Sequence, residues 1–418
     1  MLCLASVGNT SSQVSNDQPP FLDAGASASP RLTRLTAEIR SRSRVTALAS
    51  FWEEIRRDGA PLIEPVPGES NYSWVTFLWQ AVGKTTNVVV VDGVAAGVGG
   101  ADPTKSLMSP VAGTDVWYRT YKVRNDAAFT YTLSPNDSLE LLTGPRKSKP
   151  QLDPLNPNRS GPQSSVRLSS APGHTENAAA PAGTIAPSSV TSTLLQNTRS
   201  LQIYTPPGFT AGERYPLLMV LDAGAYADNV PVPKILDTLI AEKRIVPLVA
   251  VLVGNASRGE ELQCSPRFAD FLATELVPWM RETYGAGASS DETIVAGSSL
   301  GGLAAMFAWF QHPEVFGNVL SQSGSYWWTP SGDPQPEWLT RQLAAVASRG
   351  LRVSMSVGSM EIPEQRDTNR RLRDVLAEKG YLLDYSEFNG NHSYNGWRTD
   401  LARRLVKLAP YSSGQPGL

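Results

Sequence analysis

Apolar and polar residues alternate in two different ways along this chain. Between residues 31 and 58, apolar side chains recur every three or four positions and Gly59 follows them, which predicts a single helix. Beyond Gly59 the pattern changes to short β-branched and aromatic runs, which predict strands at residues 73–79, 87–91, 116–123 and 129–133. Strands at this spacing, separated by Gly, Asp, Asn and Pro rather than by helices, indicate a small antiparallel sandwich of about 90 residues.

Strands and helices alternate from residue 198 onward. The predicted strands are 199–205, 217–221, 246–253, 293–296, 351–357 and 382–388. The predicted helices are 232–245, 268–284, 303–310, 369–379 and 397–408. Several strands are nearly unbroken apolar runs, which is typical of strands that are buried on both faces. We therefore expect an α/β domain in which helices cover both faces of a mostly parallel sheet.

Polar segments complete the predicted domain organisation. Residues 1–30 are small and polar, and we expect them to be disordered. Residues 31–143 form the N-terminal helix and the sandwich domain. Residues 144–197 are rich in Pro, Ser, Ala and Gly, which predicts a linker with a flexible second half. Residues 198–410 form the α/β domain.

Composition and charge exclude several functional classes. The chain has 418 residues, 41% of them hydrophobic, with a net charge of −2, which does not favour nucleic acid or an anionic membrane surface. Its two cysteines, Cys3 and Cys264, are too few for a disulfide framework. No apolar run reaches about 18 residues, so we expect no membrane span. We expect a cytoplasmic protein, or a periplasmic one if the short apolar N-terminus is a truncated signal peptide.

The strongest chemical signal is the sequence Gly297-Ser298-Ser299-Leu300-Gly301. A predicted strand leads into it and a predicted helix follows it, which is the context of a nucleophilic serine on a strand-to-helix turn. Small residues two positions before and after Ser299 let the backbone turn sharply, and the start of the helix stabilises a developing oxyanion. Ser299 is therefore the predicted nucleophile. The alternatives are Ser298 or a glycine-rich turn without chemistry.

A serine nucleophile needs a base, and the chain has only three histidines. His174 lies in the predicted linker, and His312 follows the helix after Ser299, where capping or surface exposure explains it. His392 lies between the last predicted strand and the last helix, where an α/β hydrolase presents its base. We predict that His392 is the base.

The acid of the triad is expected between Ser299 and His392 in the chain, after the strand at 351–357. Glu361 is the first choice, with Glu364 and Asp367 as alternatives, because acidic residues after strands often only solvate loops. One oxyanion donor is predicted to be the N–H of Leu300. The second is expected in the loop after strand 217–221, at Ala223 or Gly224.

The sequence contains no cofactor signature. There is no H-x-x-x-H or C-x-x-C pairing, no P-loop, and no G-x-G-x-x-G that opens a helix after a strand. We therefore expect catalysis without a resident metal or other cofactor.

Several motifs together resemble the enterochelin (enterobactin) esterases. In the α/β domain these are residues 297–302 (GSSLGG), 319–328 (VLSQSGSYWW), 221–222 (LD), Arg258 with Glu261 and Leu262, and 389–392 (NGNH) with Trp397. In the N-terminal part they are residues 51–52 (FW), 75–79 (VTFLW), 115–117 (DVW) and 153–157 (DPLNP). The resemblance covers roughly residues 45 to 410 and hence both domains.

The resemblance implies an immunoglobulin-like N-terminal domain, an α/β-hydrolase domain, and a triad of Ser299, Glu361 and His392. It also implies hydrolysis of the ester bonds of a tri-catecholate siderophore, usually loaded with iron, to release Fe(III). Such an anionic, aromatic ligand favours Arg258, Trp327 and Trp328 as binding residues, although core packing or an ion pair would also explain them. The alternatives are a feruloyl- or carbohydrate-ester esterase on the same scaffold and a non-catalytic siderophore-binding protein.

Overall fold

The computed structural model describes residues 21–24, 28–41, 43–140, 149–173 and 176–411. His174 and the first 20 residues lie outside this part of the chain. Within it, no helix is both long enough and apolar enough to cross a membrane.

The N-terminal domain is a sandwich of two antiparallel sheets with helices at its side. The helices are Pro30–Ser41 (α1), Arg44–Asp58 (α2) and Gly93–Gly99 (α3). The strands are Phe21–Asp23 (β1), Leu62–Val66 (β2), Glu69–Gln80 (β3), Val88–Val91 (β4), Ser109–Pro110 (β5), Val116–Arg124 (β6), Ala128–Pro135 (β7), Arg159–Ser160 (β8) and Gln163–Arg167 (β9). One sheet has the order β1-β6-β3-β2 with β5 beside β6, and the other has the order β4-β7-β9-β8.

The sandwich core forms where alternating apolar side chains of the two sheets meet. Phe77 and Tyr121 from the first sheet are fully buried against Phe129 and Tyr131 from the second. The rings of Phe77 and Tyr131 contact edge to face at 4.7 Å between centroids. The predicted strands of this region are therefore confirmed as a two-sheet sandwich.

The helix predicted over residues 31–58 is two helices, α1 and α2. Ser43 has an extended conformation between them, where the apolar spacing is interrupted by a polar Ser-Arg-Ser run. Separating the helices lets both bury their apolar faces together, with Leu35 of α1 and Phe51 and Ile55 of α2 in one cluster.

The second domain is built on one eight-stranded sheet. Its strands are Thr184–Ser192 (β10), Asn197–Thr205 (β11), Leu217–Leu221 (β12), Val249–Val253 (β13), Thr293–Ser298 (β14), Asn318–Gln322 (β15), Arg352–Gly358 (β16) and Leu382–Phe388 (β17). The order is β10-β11-β13-β12-β14-β15-β16-β17. The pairs β10–β11 and β11–β13 are antiparallel, and all the other pairs are parallel.

Helices cover both faces of this sheet, as the alternating pattern predicts. They are Ala223–Asn229 (α4), Val232–Ala241 (α5), Arg258–Leu262 (α6), Pro266–Asp270 (α7), Val277–Tyr284 (α8), Leu300–Gln311 (α9), Trp338–Ala345 (α10), Pro363–Glu378 (α11) and Tyr394–Leu408 (α12), with a π-helical turn between α7 and α8. One face packs against α7 to α11 and the other against α4, α5 and α12. The α/β-hydrolase architecture is confirmed.

The predicted linker over residues 144–197 is wrong for much of its length. Strands β8 and β9 belong to the sandwich, where Val166 and Leu168 are buried in the core. Strand β10 pairs with β11 along nine residues, so this Ser- and Pro-containing segment is the edge strand of the large sheet. An edge strand forms backbone hydrogen bonds on one side only, so it tolerates proline and exposed polar side chains. For this reason its composition resembles that of a linker.

Two other differences also depend on pairing partners that are distant in the chain. Residues 21–23, predicted as disordered, form β1, because Phe21 is buried in the sandwich core and the strand pairs with β6. Strand β15 was not among the predicted strands. It is buried along its whole length between β14 and β16, although its sequence, NVLSQ, contains three polar residues.

Candidate active site

Ser299 lies on a strained turn between β14 and α9. Its backbone has φ 55° and ψ −123°, in a region that non-glycine residues rarely adopt. A Cβ on Gly297 would lie 2.4 Å from the carbonyl carbon and oxygen of Gly301, so the close approach requires glycine there. The N–H of Ser299 donates to the carbonyl of Gln322 at 2.9 Å, which holds the turn to β15.

Ser299, His392 and Glu361 form a continuous hydrogen-bonded chain. The Nε2 atom of His392 lies 2.9 Å from Oγ of Ser299, and its Nδ1 atom lies 2.6 Å from Oε2 of Glu361. Glu361 is only 2% exposed, whereas 39% of the His392 side chain is accessible. The imidazole therefore reaches the cleft while the carboxylate that orients it is withdrawn from water.

The buried carboxylate of Glu361 is satisfied by two further donors. The Gly358 N–H donates to Oε1 at 2.8 Å, and the Ser323 hydroxyl donates to the same atom at 2.5 Å. The Ser323 oxygen in turn accepts from Nε1 of Trp397 at 2.9 Å. The indole of Trp397 also contacts the His392 ring edge to face, with centroids 4.8 Å apart. These contacts fix both the acid and the plane of the imidazole.

The other residues considered for these roles lie elsewhere. His312 is at the far end of α9, where it contacts Asp270 at 2.8 Å and Glu314 at 3.1 Å. Ser298 is buried within β14. Asp367 pairs with Arg370 on α11, and Glu364 lines the cleft without reaching His392 through any hydrogen bond seen in the described residues.

The predicted oxyanion residues lie at the starts of two helices. Leu300 opens α9, and Ala223 and Gly224 form the first turn of α4 directly after β12. Asp222 precedes them in the left-handed conformation, with φ 66°. Its carboxylate accepts from Nδ2 of Asn255 at 2.9 Å and from Nε of Arg258 at 2.6 Å. Asp222 therefore orders this turn, and Arg258 is its partner.

The cleft at Ser299 and His392 has two lobes. The tryptophan lobe, of about 710 Å³, lies between the sandwich and α11 and is lined by Asp92, Gly93, Trp327, Met360, Ile362 and Gln365. The arginine lobe, of about 410 Å³, lies between the β8–β9 turn and α12 and is lined by Gly161, Pro162, Arg258, Tyr394 and Trp397. Gln163 of β9 lines both lobes, so the sandwich domain forms one wall of the whole cleft.

The two adjacent tryptophans differ in position. Trp327 is 39% exposed in its lobe, and its Nε1 donates to Oε1 of Gln365 at 2.8 Å, which orients the ring. Trp328 packs edge to face against Trp338 and the core beneath the sheet, and it does not line either lobe. Core packing thus accounts for the position of the Trp328 ring, and a ligand contact by Trp328 stays a prediction.

Sequence reasoning missed several polar residues at this site. Ser323 and Ser325 lie in the 319–328 segment, and the Oγ atom of Ser325 is 3.4 Å from that of Ser299. Gln365 and Gln163 come from α11 and from the segment that was predicted to be a linker. The run of serines after β15 was the only local signal. Among the described residues, no group of three or more His, Cys, Asp or Glu side chains is placed to hold a metal ion.

Family models match both domains of the chain. The model described as "Putative esterase" matches residues 192–408, about half of the chain, and the model described as "Enterochelin esterase, N-terminal" matches residues 74–177. The first range covers the α/β domain from the end of β10 to the end of α12, and the second covers the sandwich from within β3 to beyond β9.

Characterised relatives extend over nearly the whole molecule. The chain is 32% identical over 366 residues to an iron(III) enterobactin esterase of Escherichia coli O6:H1 strain CFT073, which covers 82% of this chain and 88% of the relative. It is 27% identical over 384 residues to an iron(III) salmochelin esterase of the same strain, covering 85% and 92%.

Among solved structures, the enterobactin esterase of Shigella flexneri in the presence of enterobactin has a TM-score of 0.69 and 29% identity, covering 86% of this chain and 97% of that one. The ferric enterobactin esterase of Salmonella typhimurium has a TM-score of 0.70 and 27% identity, covering 85% and 98%. With an α/β-hydrolase domain, a sandwich at its cleft and these relatives, the chain belongs to the enterochelin esterase family and is a carboxylic ester hydrolase.

Proposed function

We propose that this chain is a serine esterase in which Ser299 is the nucleophile, His392 the general base and Glu361 the residue that orients the imidazole. The observation that carries this proposal is the hydrogen-bonded chain from Ser299 through His392 to Glu361, with distances of 2.9 and 2.6 Å. A binding protein has no need of a strained serine that is matched to a base.

The reaction follows from this geometry in two steps. His392 takes the Ser299 proton as Oγ attacks the carbonyl, and Glu361 stabilises the imidazolium that forms. The N–H of Leu300 and one N–H at Ala223 or Gly224 stabilise the oxyanion, and His392 then returns the proton to the departing alkoxide. In the second step His392 activates a water, which attacks the acyl-enzyme and frees the carboxylic acid and Ser299.

We propose that the substrate is an enterobactin-type tri-catecholate trilactone, carried as its Fe(III) complex. The relatives named iron(III) enterobactin esterase and iron(III) salmochelin esterase support this substrate class. The cleft is also suited to it, because a bulky ligand with several arms can occupy both lobes. Trp327 offers an aromatic face in one lobe and Arg258 a cation in the other.

Substitution of the nucleophile tests the reaction. Ser299→Ala is expected to lower the hydrolysis of a p-nitrophenyl ester by at least about 10⁴-fold while the protein stays folded. Ser298→Ala is the matched control, because it removes the neighbouring hydroxyl from a side chain that is buried in β14. Retained activity in Ser299→Ala would contradict the proposed nucleophile.

Product analysis tests the substrate. Incubation with the ferric trilactone should yield the linear trimer, then the dimer and the monomer, as followed by mass spectrometry. Hydrolysis of feruloylated or acetylated sugars with no siderophore products would instead identify a feruloyl- or carbohydrate-ester esterase. Tight siderophore binding without any product would identify a binding protein.

A further inference from the structure

One edge of strand β7 pairs with another strand of the sandwich along only half of its length. Strand β4 pairs with residues 132–135 of β7, and β9 pairs with residues 128–131 on the opposite edge. Backbone N–H and C=O groups of a strand point alternately to its two edges. The groups of Ala128 and Thr130 therefore point to the same edge as those of Thr132, beyond the end of β4.

The loop that carries His392 supplies the missing partners. The N–H of Ala128 donates to the carbonyl of Asn389 at 3.0 Å. The N–H of Thr130 donates to Oδ1 of Asn391 at 3.1 Å, and Nδ2 of Asn391 donates back to the Thr130 carbonyl at 3.1 Å. The carboxamide of Asn391 thus makes the two hydrogen bonds that the backbone of a neighbouring strand would make. The histidine loop, which is the loop that carries His392, therefore pairs with β7 beyond the point where β4 ends.

The fit between loop and edge is close. A Cβ on Gly390 would lie 2.8 Å from the Ala128 carbonyl oxygen, and a Cβ on Gly93 would lie 2.8 Å from that of Thr130. Gly93, two residues after the end of β4, has φ 56° and lets the chain turn away from β7, which leaves this edge to the loop. Asn391 is 4% exposed and Thr130 is 1% exposed, so water does not compete for these hydrogen bonds.

The opposite side of the same loop is held by the segment that carries Glu361. The N–H of Met360 donates to the Gly390 carbonyl at 2.9 Å, and that of Ser359 donates to the Phe388 carbonyl at 2.8 Å. The histidine loop therefore lies between the loop of the acid, in its own domain, and β7 of the other domain.

We infer that Asn391 is a positioning residue for the esterase reaction, and that the edge of β7 sets where the His392 imidazole lies. This inference rests on the proposed function. The loop follows β17, which is the edge strand of the eight-stranded sheet and, within the described residues, pairs with another strand on one side only. A displacement of about 1 Å at the base is enough to lower turnover by roughly 100-fold. The sandwich thus acts on the chemical step as well as forming a wall of the cleft.

The test uses the full chain and a small ester, p-nitrophenyl butyrate, which needs no contact with the sandwich. Asn391→Ala is expected to lower kcat by about 10- to 100-fold with KM within about twofold. Asn395→Ala is the matched control, because Oδ1 of Asn395 accepts a different interdomain hydrogen bond, from Oγ of Ser160 at 3.1 Å. The control should keep kcat within about twofold of the unsubstituted enzyme.

A spectroscopic signature separates positioning from general destabilisation. The proton between Nδ1 of His392 and Glu361 should give a far-downfield NMR resonance in the unsubstituted enzyme. We expect it to broaden or vanish in Asn391→Ala, and to persist in Asn395→Ala at the same temperature. Circular dichroism and the melting temperature establish that both variants are folded.

Thr130→Val is a milder second variant in case Asn391→Ala does not fold. It removes the hydroxyl that accepts from Asn391 at 3.1 Å and leaves the backbone pairing intact, so a threefold to tenfold lower kcat is expected. An unchanged kcat and an unchanged resonance in the folded variants would overturn the inference. Absence of ester hydrolysis in the unsubstituted enzyme would instead contradict the proposed function, and the resonance would still report on the position of His392.

Discussion

The eight-stranded sheet and the sandwich contribute to the cleft in different ways. The eight-stranded sheet places Ser299, Glu361 and His392 beyond the carboxyl ends of β14, β16 and β17, where the chain leaves the sheet. The sandwich contributes the edge of β7 and the β8–β9 turn. No residue of the sandwich hydrogen-bonds to Ser299 Oγ or to the His392 ring within the described part of the chain.

This difference follows from what strand ends and strand edges offer. At the end of a parallel strand the backbone turns, so a side chain can project into a shared crevice without breaking the sheet. At an edge, unpaired N–H and C=O groups need partners, and a neighbouring loop that supplies them is held in place. The reacting groups therefore come from strand ends, and the support of the base comes from a strand edge.

Among substitutions of the residues that support the nucleophile, the largest effect is expected at a strand end. Glu361→Gln keeps the shape of the acid but removes the charge that stabilises the imidazolium, so kcat for a p-nitrophenyl ester should fall by roughly 10³- to 10⁴-fold. Asp367→Asn is the control, because that carboxylate pairs with Arg370 on α11 and should leave kcat unchanged. Equal losses in the two variants would contradict the assignment of Glu361.

The strand edge is tested by Gly390→Ala. Its new Cβ would meet the Ala128 carbonyl at 2.8 Å and push the histidine loop away from β7. We expect kcat to fall by roughly 100-fold, measured beside the melting temperature. Gly173→Ala, where a Cβ meets open space, is the control. A Gly390→Ala enzyme with normal kcat would mean that the base does not depend on this edge.

A smaller effect is expected from the support of the acid within its own domain. Ser323→Ala removes the hydroxyl that donates to Glu361 and accepts from Trp397, and we expect roughly tenfold lower kcat. Ser354→Ala is matched to it, since that buried hydroxyl donates to the Asp384 carboxylate on the same sheet, away from the triad. If both variants lost the same activity, the loss would come from the sheet and not from the acid.

The smallest effect on activity is expected at a buried carboxylate of the sandwich. Asp153 accepts from the Tyr131 hydroxyl at 2.6 Å and from the Leu155 N–H at 2.8 Å, and burial raises its pKa to about 6. Between about pH 4 and pH 6, the Asp153 carboxyl therefore stays protonated in the folded protein, whereas it is ionised in the unfolded chain. The free energy of unfolding should fall by roughly 2–3 kcal/mol as the pH rises from about 4 to about 6, and then level off.

Asp153→Asn should remove that part of the pH dependence and leave kcat unchanged. Denaturant titrations of both proteins between pH 4 and pH 8 measure the difference. Parallel curves for the two proteins would show that Asp153 is ionised in the folded state at all these pH values.

Prediction from the sequence worked best where structure is decided locally. Strand 382–388 and the end of the predicted helix at residue 284 follow from local patterns, and both occur as predicted, with Gly285 in the left-handed conformation after the helix. It failed where pairing partners are distant. Both β15 and β10 contain polar residues. β15 is buried because β14 and β16 pair with it, and β10 is ordered because β11 pairs with it, so the composition of each resembles a loop or a linker.

The sequence by itself determined the local chemistry of this protein. The glycines around Ser299 are a local pattern that marks the nucleophile, and with only three histidines in the chain there are few ways to build a triad around it. Only the tertiary structure decided what holds the triad in place. Thr130 and Asn391 are 261 positions apart, and Ser323 and Trp397 are 74 apart, so no local pattern connects them. The first contact arises where β7 of the sandwich meets the loop that carries His392, and the second where the segment after β15 meets α12.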